Sequence, residues 1–243
     1  SNLSFHINKG DKVALIARHG VGKSTVLGIL AGQETADEGK LWVHKDVTIA
    51  LFEQDPRFDE NKTVLENIFH LNHPVILAIR QYEAAVESED GIQIADAITR
   101  MDDLGAWDFE AKVKQILGKL NIHHLQNPVS ELSGGQRKRV ALAKTLIDIG
   151  FEHKHTLLMM DEPTNHLDVE MIEWLEHYLN AENVTLLLVT HDRYFLDAVS
   201  DEIWELERED LYVYKGDYEN YMEKKAARLE SEQASIDKAR NEY

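Results

Sequence analysis

The sequence predicts an α/β fold in which buried strands are interrupted by a mainly helical stretch. Three short apolar runs end in polar or glycine-containing loops, as expected of buried strands: Val13–Ala17, Thr156–Met160 and Val184–Thr190. Residues 74–127 carry the longer periodic patterns of helices instead. With 243 residues, of which 43% are hydrophobic, the chain is long enough for one large domain or two modest ones.

The charge and residue usage exclude several other classes of protein. The chain has 26 Lys and Arg against 44 Asp and Glu, a formal net charge of −18, which disfavours indiscriminate phosphate binding over the whole surface. It contains no cysteine, which excludes a disulfide scaffold and cysteine zinc sites. No apolar run approaches the ~18 residues that span a bilayer. We therefore expect a cytoplasmic protein without a membrane-spanning segment.

The N-terminal region predicts a phosphate-binding loop. Apolar and polar residues alternate over residues 3–7, which indicates a half-buried strand, and Val13–Ala17 is the buried strand that follows. A glycine-containing loop and an apolar helical stretch come next, and this strand–loop–helix order is what a phosphate loop requires. Lys23 would reach the β- and γ-phosphates, and the Ser24 hydroxyl would coordinate Mg²⁺. The residues predicted to hold the nucleotide here are Arg18, His19, Gly20, Val21, Gly22, Lys23, Ser24 and Thr25.

One position departs from the phosphate-loop pattern G-x-x-x-x-G-K-[ST]. The pattern has glycine where this chain has Ala17. If that position needs a positive φ angle, alanine adds strain of about 1–3 kcal/mol; if it does not, the change costs almost nothing.

An acidic pair at the end of a second strand provides the complementary chemistry. The apolar run Thr156–Met160 leads directly into Asp161 and Glu162. A carboxylate at this position of a phosphate-loop ATPase holds Mg²⁺ directly or through water, which is the role predicted for Asp161. Glu162 is then positioned to polarise a water against the γ-phosphate.

A third motif lies between these two. Leu132–Arg137 reads Leu-Ser-Gly-Gly-Gln-Arg and runs into a helical pattern, with Ser133 as a sound N-cap and the glycines leaving N–H groups open to an anion. With the three motifs in this order, nearly the whole chain resembles the ATP-binding-cassette ATPases. In that family this signature contacts the γ-phosphate held by an opposite cassette. The residues expected to do so are Ser133, Gly134, Gly135 and Gln136.

The resemblance implies further roles and partners. Gln54 resembles the Q-loop glutamine that touches Mg²⁺ and the attacking water, and His191 resembles the switch histidine at the γ-phosphate. Residues 165–168 occupy the D-loop position at the interface between cassettes. The expected fold is a P-loop cassette with a mixed sheet, a helical subdomain, ATP and Mg²⁺ as ligands, and a second cassette of the same full-length chain as partner. The family stacks adenine on an aromatic residue upstream of the first strand, so we expect the sequence to begin after that residue.

Several features are similar to one branch of the family, ABC-F. Asp161–Asp168, with its Thr164–Asp168 stretch, and Ser133–Thr145 are similar to that branch, whose members are soluble tandem-cassette proteins that act on the ribosome. The stretch between Gln54 and Ser133 is longer than in transporter cassettes, and the helices predicted over Pro74–Glu87 and Ile92–Leu104 would form the arm that ABC-F proteins insert.

The end of the chain favours the same branch. Met222, Leu229, Ile236 and Tyr243 recur every seven residues and predict a narrow apolar seam on a charged helix. In ABC-F proteins a helical linker to a second cassette begins here, and the local sequence looks most like the Uup-type subgroup.

We therefore expect four segments and one leading function. The segments are a first part of the nucleotide-binding core (1–73, N-terminally truncated), a helical arm and subdomain (74–127), the remainder of the core (128–216) and the start of a linker helix (217–243). The leading function is hydrolysis of ATP to ADP and phosphate by a ribosome-associated translation factor. The alternatives are the ATPase subunit of a transporter and a DNA-maintenance ATPase acting on branched DNA.

Overall fold

The computed structural model describes residues 3–17, 22–151, 155–208 and 210–241, the last residue by its backbone alone. The chain divides into two compact units. The first comprises Ser1–Glu53, Lys154–Thr164 and Leu175–Tyr243, and the second comprises Gln54–His153 and Asn165–Trp174. None of the helices in the described ranges is long and apolar enough to cross a membrane.

The first unit contains a six-stranded mixed sheet. In the described ranges its strands are β1 (Lys12–Ala17), β2 (Val47–Phe52), β3 (His155–Asp161), β4 (Thr185–Val189), β5 (Glu202–Glu207) and β6 (Asp210–Lys215). Their order across the sheet is β2-β3-β4-β1-β5-β6, with all pairs parallel except β5–β6. Parallel strands need both faces covered, which explains why β3 and β4 read as nearly continuous apolar runs. The expected mixed-sheet α/β fold is confirmed.

Helices cover the two faces of this sheet. The first-unit helices are α1 (Lys23–Leu30), the later residues of α7 (Val169–Ala181), α8 (Arg193–Val199) and α9 (Tyr218–Asn241). Leu27 of α1 packs with Val13, Leu15 and Leu187 in one apolar cluster. Tyr221 of α9 belongs to a second cluster with Ala14 and Ile203. Because Val13 and Ala14 are neighbours in β1, they point to opposite faces of the sheet.

The strand expected over residues 3–7 is not formed. Leu3, Phe5 and Ile7 are half-buried against the apolar cluster around β1, and the Phe5 and Trp204 rings meet edge to face with centroids 5.3 Å apart. The alternation of apolar and polar residues therefore predicted the burial of these side chains correctly but predicted strand pairing wrongly. Side-chain spacing shows which residues face the core, and it does not provide a neighbouring strand for the backbone to bond.

The second unit is helical. Its helices are α2 (Val64–Ile68), α3 (Pro74–Ser88), α4 (Gly91–Asp103), α5 (Ala106–Lys119), α6 (Gly134–Phe151) and the first residues of α7, with a 3₁₀ turn at Val129–Glu131. The two predicted arm helices correspond to α3 and α4 within one residue at each end. Asp90 caps α4 by accepting hydrogen bonds from the N–H groups of Ile92 and Gln93, and Pro74 occupies the first turn of α3. Ala78, Met101 and Ala106 form the small core where α3, α4 and α5 meet.

The C-terminal helix contacts the sheet through a stripe that the heptad spacing did not identify. Met222, Leu229 and Ile236 are 49%, 40% and 50% exposed. Tyr221 is buried instead, and Lys225 and Arg228 reach carboxylates on β5. The first three residues of the predicted seam therefore lie on α9 but do not attach the helix to the sheet, and the fourth, Tyr243, lies outside the described ranges.

Candidate functional site

The predicted phosphate loop leads into an uncapped helix start. Gly22 has φ +37° at the N-cap of α1, no side-chain cap is formed among the described residues, and the first turn lacks acidic residues. The early N–H groups of α1 are therefore available to an anion, where the helix dipole favours negative charge. Lys23 is half-buried, and Ser24 and Thr25 are exposed at this end. The four predicted residues Arg18, His19, Gly20 and Val21 lie outside the described ranges.

Ala17 does not carry the strain considered from the sequence. It is the last residue of β1 and pairs with Leu206 of β5. It is absent from the described non-glycine residues with positive φ. Alanine is therefore accommodated as ordinary extended backbone at the position where the pattern has glycine.

Ser24 and Asp161 meet at the carboxyl end of the sheet. The Ser24 hydroxyl donates a hydrogen bond of 3.5 Å to Oδ2 of Asp161, although 137 residues separate them in the chain. Asp161 ends β3 and Ser24 lies in the first turn after the loop that follows β1, so both are brought to the same edge of a parallel sheet. Burial raises the pKa of Asp161, and the neighbouring charge of Glu162 raises it further.

This donor set fits a magnesium ion. Mg²⁺ prefers oxygen ligands and is bound in proteins by one or two carboxylates together with phosphates and water. Ser24 and Asp161 offer a hydroxyl and a carboxylate 3.5 Å apart, and a cation would offset the unfavourable charge of buried Asp161. In the ranges described, no cluster of three or more His, Cys, Asp or Glu could hold a metal by itself, so phosphates of a nucleotide would complete the ligand set.

Glu162 is held at both its backbone and its carboxylate. Its backbone has φ +49°, a left-handed conformation that is uncommon for a non-glycine residue. Its N–H donates to the carbonyl of Val189 at 2.8 Å. Its Oε2 accepts from the Thr190 hydroxyl at 3.3 Å and from the His191 N–H at 3.2 Å. Val189 therefore holds the backbone of Glu162, and Thr190 and His191, which follow β4, hold its carboxylate.

His191 lies beside the other carboxylate oxygen. Its ring Nε2 is 3.4 Å from Oε1 of Glu162, and its side chain is 69% exposed. Thr190, which sequence analysis did not single out, is buried and contacts the same glutamate. The signal was present in the sequence, since a hydroxyl residue directly follows the β4 run and precedes the candidate switch histidine.

The signature residues begin α6 in the second unit. The Ser133 hydroxyl accepts from the N–H of Gln136 at 3.2 Å, and the Gln136 side-chain oxygen accepts from the N–H of Ser133 at 2.9 Å, a reciprocal capping box. Ser133, Gly134 and Gln136 are exposed, as binding to another molecule requires. A Cβ added to Gly135 would lie 3.5 Å from Nδ1 of His166, so the candidate D-loop packs against this helix start.

Other predicted positions of the second unit are also defined. Arg137 donates to the Glu60 carboxylate with both terminal nitrogens and lies over the Phe58 ring at 5.4 Å, which holds the first turn of α6. Asp168 accepts from the N–H of Met171 at 2.9 Å and starts α7. Gln54 is exposed two residues after β2, and its role stays a prediction.

Sequence comparisons agree with these motifs. A family model described as ABC transporter matches residues 1–165. YfmR of Bacillus subtilis, described as an uncharacterized ABC transporter ATP-binding protein, is 44% identical over 93% of this chain and 37% of its own length. The energy-dependent translational throttle protein EttA of Mycobacterium tuberculosis is 37% identical over 93% of this chain and 41% of its own. The ATP-binding protein Uup of Haemophilus influenzae is 32% identical over 94% of this chain and 35% of its own.

A comparison with solved structures gives the same fold. The archaeal ribosome recycling factor aABCE1, solved in complex with the ribosomal stalk protein aP1, has a TM-score of 0.60 at 25% identity, covering 91% of this chain and 37% of that one. The present chain thus spans about two fifths of the length of the relatives it matches.

Proposed function

Because this chain belongs to the ATP-binding-cassette family of ATPases, we propose that Lys23, Ser24, Asp161 and Glu162 carry out hydrolysis of ATP to ADP and phosphate. The relatives YfmR, EttA and Uup confirm the expected ABC-F, Uup-like type. The observation that carries the proposal is the meeting of the Ser24 hydroxyl, at the open start of α1, with Asp161 and its neighbour Glu162.

Each of these residues has one task in the proposed reaction. The first N–H groups of α1 bind phosphate oxygens, and the ammonium group of Lys23 offsets their charge. Ser24 and Asp161 would hold Mg²⁺, which would supply positive charge to offset the negative charge of the phosphates. Glu162 accepts the proton of the water that attacks the γ-phosphate in line. His191 and Gln54 respond to the presence of that phosphate.

We propose that a complete site needs a second cassette. The chain has one phosphate loop and one signature, and the exposed capping-box turn at Ser133 is free to meet a nucleotide held elsewhere. The relatives extend far beyond the matched region, which leaves room in them for another cassette. We therefore expect the isolated chain to bind ATP but to hydrolyse it slowly, with a rate per molecule that rises with protein concentration. A fast rate that does not depend on concentration would contradict this.

For the cellular role we propose a translation factor that binds ribosomes in the cytoplasm. EttA is named a translational throttle, and aABCE1 is a ribosome recycling factor, so two matched proteins with named roles act on translation. ATP would close the cassette against its partner, and hydrolysis would release it. The arm formed by α3 and α4 and the long helix α9 favour this role over a transport subunit. The alternatives are the ATPase subunit of a transporter and a DNA-maintenance ATPase acting on branched DNA.

The experiment uses the natural protein that contains this cassette, with Glu162→Gln and the equivalent change in the second cassette. The substitution should slow hydrolysis by about 10²–10⁴-fold while ATP still binds, because only the proton acceptor is lost. The trapped protein should then sediment with ribosomes in a sucrose gradient containing ATP but not in one containing ADP. Glu170→Gln, the same substitution at an exposed residue of α7, is the matched control and should leave hydrolysis unchanged.

The outcomes separate the parts of the proposal. An unchanged hydrolysis rate in Glu162→Gln would remove Glu162 from the mechanism. A trapped, ATP-loaded protein that stays at the top of the gradient would contradict the ribosomal role, and its retention on branched DNA or on membranes would then decide between the alternatives.

A further inference from the structure

We propose that Thr190 is a positioning residue for Glu162: by holding carboxylate oxygen Oε2, it fixes the orientation of the carboxylate that takes the proton from water. This inference rests on the proposed hydrolysis of ATP. It concerns the one buried hydroxyl that contacts the catalytic carboxylate in the described part of the chain.

The hydrogen bonds around Thr190 have only one consistent direction. The backbone N–H of Asp192 can only donate, and it lies 3.0 Å from the Thr190 hydroxyl oxygen. An ionised carboxylate can only accept, so the single hydroxyl proton of Thr190 must point to Oε2 of Glu162, 3.3 Å away. The hydrogen bond from Asp192, the N-cap of α8, therefore orients the Thr190 hydroxyl, and that hydroxyl in turn holds Oε2 of Glu162.

The two carboxylate oxygens consequently have different environments. Oε2 accepts two hydrogen bonds, from the Thr190 hydroxyl and the His191 N–H. Oε1 is buried and accepts none from the described residues. Nε2 of His191 lies 3.4 Å from Oε1 and forms an ion pair with it only when the ring is protonated. A buried carboxylate oxygen without a hydrogen-bond donor is costly, and such atoms are concentrated at functional sites.

The backbone conformation of Glu162 also restricts where its carboxylate can lie. The left-handed conformation at Glu162, with φ +49°, is held by the hydrogen bond from its N–H to the Val189 carbonyl. Val189, Thr190 and His191 are consecutive, so one short segment at the end of β4 holds both the backbone and the carboxylate of Glu162. A side chain held at both ends keeps its reactive oxygen in place before substrate binds, which is how positioned groups lower a barrier.

Two substitutions at this position separate the hydroxyl from the rest of the side chain. Thr190→Val keeps the shape and removes the donor, and Thr190→Ser keeps the donor. We expect Thr190→Val to lower kcat for ATP hydrolysis by about 10–100-fold with KM for ATP unchanged, since a small misplacement of a catalytic group has effects of this size. Thr190→Ser should stay within about threefold of the wild type.

A matched control tests for a merely structural effect. Thr185, at the start of β4, is also buried, and its hydroxyl contacts the Gly10 N–H and His155 and none of the site residues that the structure describes. Thr185→Val therefore removes a bonded hydroxyl from the strand that leads to Thr190 and should leave kcat unchanged.

The decisive measurement repeats Thr190→Val in the Glu162→Gln background. If Thr190 acts through Glu162, the valine has no further effect on the residual hydrolysis rate, because there is no carboxylate left to position. An equal loss of rate in both backgrounds, or a wild-type kcat in Thr190→Val, would overturn the positioning role alone. An inactive wild type, or a Glu162→Gln variant with wild-type activity, would overturn the proposed function and this inference with it.

Discussion

Lys225→Met should weaken the attachment of α9 to the sheet by leaving a buried charge with less compensation. Glu205 lies on β5 with 3% of its side chain exposed, and it accepts a 2.5 Å hydrogen bond from the Lys225 ammonium group. Arg228 is the second cation near this carboxylate, 3.6 Å from Oε2, but its closer contact is with Glu207 at 2.9 Å. Methionine keeps most of the apolar stem of lysine and removes the ammonium group, with its charge and its hydrogen bonds to Glu205 and Tyr221.

The size of the effect follows from this arrangement. Removing one partner of a buried ion pair costs about 3–5 kcal/mol when the other charge is left alone. Arg228 still lies near Glu205, so we expect a loss of about 2–3 kcal/mol in the free energy of unfolding. That is a large share of the ~5–15 kcal/mol that stabilises a typical domain.

Urea titrations of the chain measure this loss directly. Lys224→Met, at an exposed position of the same helix, is the matched control and should change the free energy of unfolding by less than about 0.5 kcal/mol. Adding Glu205→Gln to Lys225→Met should recover at least half of the loss, because the uncompensated buried charge is then removed. A loss below about 0.5 kcal/mol in Lys225→Met, or no recovery in the double variant, would refute the reasoning.

Two further predictions follow from the pKa directions. Burial and the charge of Glu162 raise the pKa of Asp161, so its ionised form destabilises the native state at neutral pH. Asp161→Asn should therefore stabilise the metal-free chain by about 0.5–2 kcal/mol in thermal melts at pH 7. The same substitution should abolish hydrolysis. Burial raises the pKa of Tyr214 and Tyr221. Burial alone would lower the pKa of Lys225, but the hydrogen bonds of Lys225 to Glu205 and Tyr221 raise that pKa overall. The native state thus holds these protons more tightly than the unfolded chain, and the free energy of unfolding should fall as pH rises above about 10.

Each of these two predictions has an outcome that would contradict it. An Asp161→Asn variant no more stable than the wild type would show that the native carboxylate carries no cost. A free energy of unfolding that stays constant between pH 9 and 11 would contradict the alkaline prediction, and Tyr221→Phe should make the fall less steep.

Local patterns were sufficient to predict most strands and helices. The apolar runs that became β1, β3 and β4 are bounded by turn residues, and the helices α3 and α4 have periodic apolar positions interrupted only at Ser88–Gly91. The phosphate loop and the acidic pair were recognisable because their chemistry requires particular residue types at a strand end. These features depend on neighbours within a few residues.

Contacts between distant segments could not be predicted in the same way. The alternation of Leu3, Phe5 and Ile7 indicated burial, but no ladder partner lies beside that segment in the described structure. The heptad spacing on α9 identified a seam that is exposed, whereas Tyr221 and Lys225 make the contacts because their partners come from the sheet.

The sequence alone determined which residue types are available for the reaction and their order along the chain: a phosphate loop, a signature, an acidic pair and a histidine after a buried strand. Only the tertiary structure decided how Glu162 is oriented. Its Oε2 is bonded by Thr190 and His191, which lie 28 and 29 residues further along the chain, and its Oε1 is left without a hydrogen-bond donor among the described residues. The physical reason is that β3 and β4 are parallel neighbours, so their carboxyl ends coincide in space although a helix separates them in sequence.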